Sequence, residues 1–192
     1  MSAKDIVILG EPSGAGKTTA ARALLRDALQ GIVFLNADEI ARQISPYDPD
    51  SAALAAGRVF IKRMRDLVRR GSSFAFETTC SGKSYIRLLA QCKQDGWRIT
   101  LFYFWLPSPE YSIERVARRV LQGGHHIPTD VIYRRYKAGI SNMRHLYLPL
   151  ADEAEIFDNS DKERRLIVVK RKSVDIQILD TVRWAVIEGI AQ

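Results

Sequence analysis

Short apolar runs alternate with longer amphipathic segments along the whole chain. The apolar runs have the length of buried strands, and they cover residues 5–9, 32–35, 73–76, 99–106 and 154–157. Helical patterns lie between them, over residues 17–30, 52–70, 83–95, 109–121 and 130–146. Strands that alternate with helices in this way predict an α/β protein with a largely parallel sheet.

Local signals mark the ends of several of these elements. Gly31, Gly71 and Gly96 each follow a helical pattern, which is where glycine commonly ends a helix. Ser108 and Pro109 are the residue types of an N-cap and a first helical position. In the helix that follows, we expect a buried stripe of Ile113, Val116, Ala117, Val120 and Leu121.

The end of the chain continues the alternation. A charged, hairpin-like stretch, DKERRLIVVKRKS, is followed by an amphipathic helix near residues 175–190, so that hairpin and helix together cover about residues 161–192. The sequence contains no repeat, low-complexity tract or linker. We therefore predict a single domain over residues 1–192.

Composition narrows the class of protein. The 192 residues are 46% hydrophobic and 27% charged, which suits one domain with a substantial core. Apolar runs stay well short of the roughly 20 residues of a membrane helix, and the N-terminal residues lack the pattern of a signal peptide. We expect no membrane partner and a cytoplasmic location. Two cysteines, Cys80 and Cys92, are too few for a metal site or a disulfide framework.

The charge balance favours anionic partners. The chain has 29 Lys and Arg residues against 22 Asp and Glu residues, a formal net charge of +7. Nucleic acids, phosphorylated metabolites and acidic proteins are all attracted by such a surplus. A basic soluble protein of another kind can have the same composition, so the count alone does not choose among them.

The clearest chemical motif is the turn between the first strand and the first helix, EPSGAGKTT. Gly16, Lys17 and Thr18 match the end of the P-loop pattern G-x-x-x-x-G-K-[ST] in the strand–turn–helix context that it requires. In such a loop, backbone N–H groups hold phosphates, the lysine contacts the β- and γ-phosphates, and the threonine hydroxyl binds Mg²⁺. We predict a site for ATP and Mg²⁺ formed by Pro12, Ser13, Gly14, Ala15, Gly16, Lys17, Thr18 and Thr19.

Glu11 departs from this motif. It stands where the first glycine of the pattern belongs, one residue after Gly10. That glycine serves the turn and not the phosphate contact, and Pro12 with the pair Gly10 and Gly14 still favours a tight loop. A carboxylate aimed at the phosphates would repel them. We therefore expect a working loop in which Glu11 points away, toward solvent or a basic partner.

Other motifs separate the classes of P-loop protein. The chain has neither the further motifs of transporter-type ATPases nor the guanine-reading N-K-x-D. It does have a carboxylate after the second strand, in FLNADEI, one at the end of the third, in SFAFETT, and an arginine-rich segment after the fourth. Small-molecule kinases arrange a base, a metal-side acid and a cationic lid around the transferred phosphoryl group in this way.

Several blocks of sequence, in order, resemble the zeta-toxin-like family of P-loop kinases, in the branch often labelled predicted ABC-type ATPase. They are GEPSGAGKTTAARALL, FLNADEIA, AALAAGR, FAFETTCSGKSYIRLL, WLPSPE, RVARRVLQGGHHIPTDVIYRRY and LYLPLADEAEIFDNS. The resemblance covers about residues 5–160. Members of that branch read G-P-N-G-A-G-K at the loop, so Glu11 departs from the family as well. The absent motifs argue against the label ABC-type.

The resemblance implies a fold and an activity. The fold is a kinase-type P-loop NTPase, a three-layer α/β sandwich on a five-stranded parallel core with strand order 2-3-1-4-5 and a helical lid at about residues 115–137. The activity is transfer of the γ-phosphoryl group of ATP to a hydroxyl of a small metabolite. Zeta toxins phosphorylate UDP-N-acetylglucosamine, which is the first candidate acceptor, and some of them pair with an antitoxin protein.

The resemblance also suggests roles for the acidic residues. Asp38 matches the catalytic aspartate of the family and is the predicted general base, although a helix cap or first-turn carboxylate is the simpler alternative. Glu77 is predicted to lie beside the metal, with Thr18, and near the acceptor. Thr78, Thr79 and Lys83 follow on the same strand edge and are candidate acceptor contacts.

Two arginines are assigned by their position in the family pattern. Arg119 and Arg135 flank a glycine pair and suit a lid that neutralises charge on the transferring phosphoryl group. Other arginines nearby are equally consistent with solvated helix faces. Asn159, after the fifth strand, stands where such kinases pass the adenine. The role of the basic stretch near the C-terminus stays open.

Two other functions stay open at this point. A nucleic-acid kinase would suit the net charge of +7, although few aromatic residues lie near the basic segments to stack on bases. A nucleotide-dependent binding or regulatory ATPase without a small-molecule acceptor is the other alternative.

Overall fold

A computed structural model of the chain describes residues 4–13, 32–49, 51–121, 126–161, 163–172 and 175–192. The predicted helix over residues 17–30 lies outside the described residues, and so do Gly14, Ala15, Gly16, Lys17, Thr18 and Thr19.

Seven strands of the described residues form one sheet. They are β1 (Asp5–Gly10), β2 (Val33–Leu35), β3 (Phe74–Thr78), β4 (Arg98–Trp105), β5 (Glu153–Asp158), β6 (Arg165–Lys170) and β7 (Gln177–Ile178). Their order is β2-β3-β1-β4-β5-β6-β7. The first five are parallel to their neighbours, and β6 and β7 are antiparallel additions. The predicted parallel core and its order are confirmed, whereas the whole sheet has seven strands because the charged stretch after β5 pairs with it.

Helices connect these strands. They are α1 (Ala37–Ile44), α2 (Ala53–Arg70), α3 (Ile86–Gln94), α4 (Pro109–Leu121), α5 (Thr129–Asn142), α6 (Leu148–Leu150) and α7 (Thr181–Ala191). The helix predicted over residues 130–146 becomes a wider π-helical turn, Met143–Tyr147, after α5 ends. Gly71 ends α2 as predicted, with a left-handed φ of 66°.

The core lies between the sheet and the helices. Ile6, Ile8, Phe74 and Phe76 of the central strands are fully buried, and Phe60 of α2 packs edge-on against Phe76. The stripe predicted on α4 is wrong at its C-terminal end. Val116 is buried, but Leu121 is 88% exposed, so the last turn of α4 leaves the core. Ala117, also predicted in the stripe, is exposed as well. No helix of the described ranges is long and apolar enough to cross a bilayer.

The parallel strands deliver their C-terminal ends to one edge of the sheet. Gly10 pairs in register with Thr78 of β3 and with Tyr103 of β4, and Trp105 pairs with Asp158 of β5. The chain connections change direction on either side of β1, where ligands bind in open α/β sheets. Every predicted site residue within the described part leaves this edge or stands on a helix beside it.

Candidate active site

The end of β1 is shaped by a close contact at Gly10. A Cβ atom at this position would lie 2.6 Å from Cδ2 of Tyr103 and 2.9 Å from Sγ of Cys80, and both of those side chains are fully buried. Because no side chain fits there, glycine is required one residue before the usual first glycine of the P-loop. Packing against β4 and the loop after β3 therefore explains the glycine at position 10, independently of the residue at position 11.

Glu11 is buried, and the expectation that it faces solvent is wrong. Glu11 is 2% exposed, and its backbone N–H donates to the Thr78 carbonyl at 3.1 Å. This bond extends the pairing of β1 with β3 by one residue beyond the strand. Pro12 and Ser13 are buried as well, so the described start of the loop is part of the protein interior.

Glu11 also belongs to a buried polar environment. Burial raises the pKa of Tyr103 well above its ordinary value, and the charges of Cys80, Tyr136 and Glu11 add to that effect. Sequence reasoning missed this placement because it treated a residue in a glycine-rich turn as exposed.

Asn36 joins the two predicted acidic residues. It caps α1, where its Oδ1 accepts hydrogen bonds from the N–H groups of Asp38 at 2.8 Å and Glu39 at 3.2 Å. Its Nδ2 donates to Oε2 of Glu77 at 3.1 Å. One side chain thus fixes the start of α1, which carries Asp38, relative to the end of β3. Sequence reasoning did not name Asn36, although an asparagine before a helical pattern is an N-cap signal.

The two carboxylates differ in exposure. Asp38 lies in the first turn of α1 and is exposed, whereas Glu77 is half-buried and held by the Asn36 amide. The N-cap of α1 is Asn36. Asp38 is therefore not a helix cap, and the simpler alternative that remains for it is a first-turn carboxylate. An exposed carboxylate can reach a ligand hydroxyl, and a half-buried one can hold a fixed position beside a charged group.

Glu77 fits the ligand chemistry of Mg²⁺. That ion prefers carboxylate oxygens and keeps several waters, so one carboxylate and a hydroxyl suffice beside the phosphates. Among the described residues no group of three or more His, Cys, Asp and Glu side chains gathers as a closed metal site. Thr18, the other predicted metal residue, lies outside the described residues.

The three predicted acceptor contacts fall in different surroundings. Thr78 is buried, and its Oγ1 accepts a hydrogen bond from the Cys80 N–H at 3.0 Å. Oγ1 of Thr79 lies 2.8 Å from Oγ of Ser81, and Thr79 is half-buried. Lys83 is exposed. Thr79 and Lys83 therefore stand where a ligand can reach them, while the hydroxyl of Thr78 is engaged inside the protein.

The segment predicted as a lid is anchored near both ends. Nη2 of Arg115 donates to the carbonyls of Asn159 at 2.7 Å and Ser160 at 2.8 Å. The phenol of Tyr136 donates to the Leu106 carbonyl at 2.7 Å. These bonds tie α4 and α5 to the edge of the sheet, so any movement of the lid would fall between the two anchors.

The two predicted lid arginines lie between those anchors. Arg119 is half-buried on α4, one turn beyond Arg115, and Arg135 is exposed on α5. Arg118 is exposed and pairs with Glu114 at 2.6 Å, which is a surface ion pair within one helix. The roles of Arg119 and Arg135 stay predictions.

The residue predicted to pass the adenine is fixed by its backbone. Asn159 is buried, and its N–H donates to the Trp105 carbonyl at 2.9 Å, which extends the pairing of β4 with β5. Its Oδ1 accepts a hydrogen bond from Nε of Arg164 at 3.3 Å. The loop after β5 therefore has a defined position beside the site.

Asp158 connects this loop to the C-terminal helix. It is 4% exposed and accepts hydrogen bonds from Nε of Arg183 at 2.6 Å and from the Ser160 N–H at 2.9 Å. Burial alone would raise the pKa of Asp158, but these hydrogen bonds outweigh it and hold the pKa below its usual value. Arg183 lies on α7, so its contact with Asp158 attaches this helix to the end of β5. Arg183 also contacts Asp180, the N-cap of α7, at 2.7 Å.

Comparison with known proteins identifies a family and several solved structures with the same fold. The model of the zeta toxin family matches residues 2–167. An uncharacterized protein of Haemophilus influenzae is 34% identical over 124 residues, which are 65% of this chain and 86% of that protein.

Two solved structures share the fold. A chain of the AvrRxo1-ORF1:-ORF2 complex with ATP has a TM-score of 0.73 and 18% identity, and the match covers 99% of this chain. The present chain spans 64% of that chain's length. A chain of the PezAT chromosomal toxin–antitoxin system of Streptococcus pneumoniae has a TM-score of 0.64 and 17% identity, over 99% of this chain and 86% of that one.

The family match covers most of the residues, and the resemblance noted in the sequence is confirmed. The family supports an ATP-dependent phosphotransferase, and the two solved structures show the same fold. We conclude that the chain belongs to the zeta toxin family.

Proposed function

We propose that the protein transfers the γ-phosphoryl group of ATP to a hydroxyl of a small, polar metabolite, with UDP-N-acetylglucosamine as the first candidate. One observation carries the proposal. Asn36 joins the helix turn of Asp38 to the carboxylate of Glu77, at the sheet edge where β1 leads into the P-loop. A base and a metal-side acid next to a phosphate-binding loop are the parts of a kinase site.

The donor side rests on the P-loop sequence. Lys17 would contact the β- and γ-phosphates, and Thr18 with Glu77 would hold Mg²⁺. Bound Mg²⁺ neutralises phosphate charge. The hydrogen bond from Asn36 keeps the Glu77 carboxylate in one orientation, so its position is set before the ligands arrive.

Asp38 is the proposed general base. Its backbone is pinned by the Asn36 cap, while its side chain is exposed and free to accept the proton of the attacking hydroxyl. Arg119 and Arg135 are proposed to stabilise negative charge on the transferring group, because their positions match the family pattern.

The acceptor would bind at the loop after β3. Thr79 and Lys83 line the accessible side of that loop, and the net charge of +7 attracts a substrate that carries phosphate. UDP-N-acetylglucosamine is supported by membership of the zeta toxin family. A nucleic-acid acceptor would be attracted by the same positive charge, so the test below includes one.

The test is a direct search for the product. The protein is incubated with Mg-ATP and UDP-N-acetylglucosamine, and mass spectrometry looks for a sugar nucleotide one phosphoryl group heavier. ADP formation at the same rate with and without the sugar nucleotide, and no heavier product, would exclude this acceptor. Labelled ATP with a metabolite pool, and separately with oligonucleotides bearing a free hydroxyl end, then identifies or rejects the other acceptors.

A protein partner is a further part of the proposal. One structural neighbour is a complex with a second protein and another belongs to a toxin–antitoxin system, which supports an antitoxin for this chain. An antitoxin is needed only if the kinase harms its host. Induced expression in a test bacterium should slow growth for the wild type and not for Asp38→Asn, and equal growth of both would remove the reason for an antitoxin.

A further inference from the structure

The loop over residues 79–84, which we call the acceptor loop, is held by a buried asparagine. Nδ2 of Asn142, at the end of α5, donates to the carbonyls of Cys80 at 2.9 Å and Ser81 at 3.1 Å. Asn142 is only 7% exposed, so its buried amide nitrogen depends on these two carbonyls as hydrogen-bond acceptors. An amide nitrogen has two hydrogens, and here both go to consecutive residues of one loop.

The π-helical turn and one glycine complete this attachment. The phenol of Tyr147, at the end of Met143–Tyr147, donates to the Gly82 carbonyl at 2.9 Å. A Cβ at Gly139 of α5 would lie 2.5 Å from the Thr79 carbonyl oxygen, so that oxygen packs directly on the helix. Four consecutive carbonyls of the acceptor loop therefore face α5 and the turn that follows it.

The later N–H groups of the same loop are placed differently. Within the described part of the chain, the backbone N–H groups of residues 82–84 donate no hydrogen bond to the protein, whereas the Ser81 nitrogen lies against α5 near Gly139. Cys80 has a left-handed φ of 56°, which bends the loop before these groups. Lys83 and Ser84 are exposed beside them. Successive free N–H groups in a turn form a concave site for an anion.

We propose that the acceptor loop binds a phosphate group of the acceptor through the N–H groups of residues 82–84 and the ammonium of Lys83, and that Asn142 is the positioning residue of this site. The inference rests on the proposed kinase function for the identity of the ligand, since the loop starts two residues after Glu77. With their carbonyls tied to α5, the N–H groups keep the orientation that an anion needs, which lowers the cost of binding.

Cys80 reports on the loop without any kinase assay. Its thiol is fully buried in the acceptor loop, against Gly10 and Tyr103. The chain has one other cysteine, Cys92, which Cys92→Ala removes. In that background, the rate at which 5,5′-dithiobis(2-nitrobenzoate) modifies Cys80 measures how often the loop opens.

The positioning role predicts a large change for one variant and none for its neighbour. Asn142→Ala should speed the modification of Cys80 about tenfold, because two hydrogen bonds to the loop are lost. Ser141→Ala is the matched control, since its hydroxyl contacts the Ala191 carbonyl at 3.2 Å on the other side of the helix. Equal rates in the two variants would overturn the positioning role. If Asn142→Ala does not fold, Tyr147→Phe makes the same comparison.

The anion site is tested with inorganic phosphate. The P-loop is first saturated with Mg²⁺ and a non-hydrolysable ATP analogue, and sodium chloride of equal ionic strength replaces phosphate in the control. Phosphate should slow the modification of Cys80 several-fold in the Cys92→Ala protein and not after Lys83→Ala. An unchanged rate in phosphate would overturn the site.

The two proposals fail separately. Protection by phosphate in a protein that phosphorylates no acceptor would sustain the acceptor loop and refute the kinase. Conversely, kinase activity whose KM for a phosphorylated acceptor is the same in Lys83→Ala and wild type would refute the loop and sustain the kinase. If the site is correct, Lys83→Ala raises that KM about tenfold and leaves the KM for ATP unchanged.

Discussion

The loops that follow β3 and β5 leave the same edge of the sheet, yet they are held by different chemistry. The loop after β3 is held by uncharged donors, the amide of Asn142 and the phenol of Tyr147. The loop after β5 is held by the guanidinium of Arg115 and, through Asp158, by that of Arg183. One attachment is neutral and the other is charged.

This difference shows at which loop a positive charge remains available to bind a ligand. Neutral donors fix the loop after β3 without opposing charge, so the exposed ammonium of Lys83 keeps its full attraction for an anion. On the β5 side, the positive groups already contact protein carbonyls and a buried carboxylate. The first loop is therefore suited to bind charge and the second to keep its shape, and four measurements can break or sharpen this contrast.

The largest effect is expected at the proposed base on α1, which Asn36 joins to the end of β3. Asp38→Asn should lower the rate of phosphoryl transfer by about 10²–10⁴-fold, the usual cost of removing a general base. ATP affinity should stay unchanged, because Asp38 is an exposed first-turn residue whose backbone is set by Asn36. Single-turnover transfer from labelled ATP and a separate ATP-binding titration measure the two quantities.

The matched control for this variant is Glu39→Gln, since Glu39 is the next residue in the same exposed turn. Loss of ATP binding in Asp38→Asn would mean that Asp38 is structural or a metal ligand, and that the base lies elsewhere.

The lid arginines should give the next largest effect. Arg119→Ala and Arg135→Ala should each lower kcat by about 10²-fold, and should raise the KM for ATP much less, because the charge that they neutralise develops in the transition state. Arg118→Ala is the control on the same helix, since Arg118 pairs with Glu114 at the surface. Full activity in both lid variants would remove them from the site.

On the β5 side the expected effect is on stability. Asp158→Asn keeps the shape of the side chain but loses the charge that accepts hydrogen bonds from Arg183 and Ser160. The free energy of unfolding in urea should fall by about 2 kcal/mol. Glu114→Gln, at an exposed ion pair, should leave it unchanged within error. Equal unfolding curves for Asp158→Asn and wild type would show that the charged attachment does not stabilise the fold.

The smallest effect separates the two attachments by pH. The pKa of Asp158 is lowered in the folded protein, so its stabilising charge is fully present above the unfolded value of about 3.9 and is lost as the pH falls through the folded value. The stability difference between wild type and Asp158→Asn should therefore shrink as the pH falls below about 4, the unfolded value. The difference caused by Asn142→Ala should stay constant, because an amide does not titrate. Parallel pH profiles for both variants would contradict the contrast.

Much of the fold follows from patterns that are local in the sequence. Apolar runs separated by amphipathic segments predicted the five parallel strands, and the family resemblance supplied their order. The P-loop pattern and the acids after two strands indicated the edge of the sheet where the site lies. These features depend on neighbouring residues, so periodicity and motif spacing can reveal them.

The contacts that arrange the site connect distant positions. Asn36 and Glu77 are 41 residues apart, Asn142 and Cys80 are 62 apart, and Arg183 and Asp158 are 25 apart. No periodicity links such pairs, since the register of the strands and the packing of α5 bring them together. Glu11 was misplaced for the same reason, because its burial depends on the neighbours of β1 and not on the glycine-rich turn that contains it.

The π-helical turn Met143–Tyr147 constrains the number of residues between α5 and Tyr147. Each residue of a helix advances it by about 1.5 Å and about 100°, and a π turn holds one residue more than the α-helical turn that it replaces. Deleting any one residue here would restore α-helical spacing and rotate Tyr147 away from the Gly82 carbonyl that it contacts. When relatives of this protein are aligned, a gap within these five residues therefore marks a chain that holds the loop after β3 in another way.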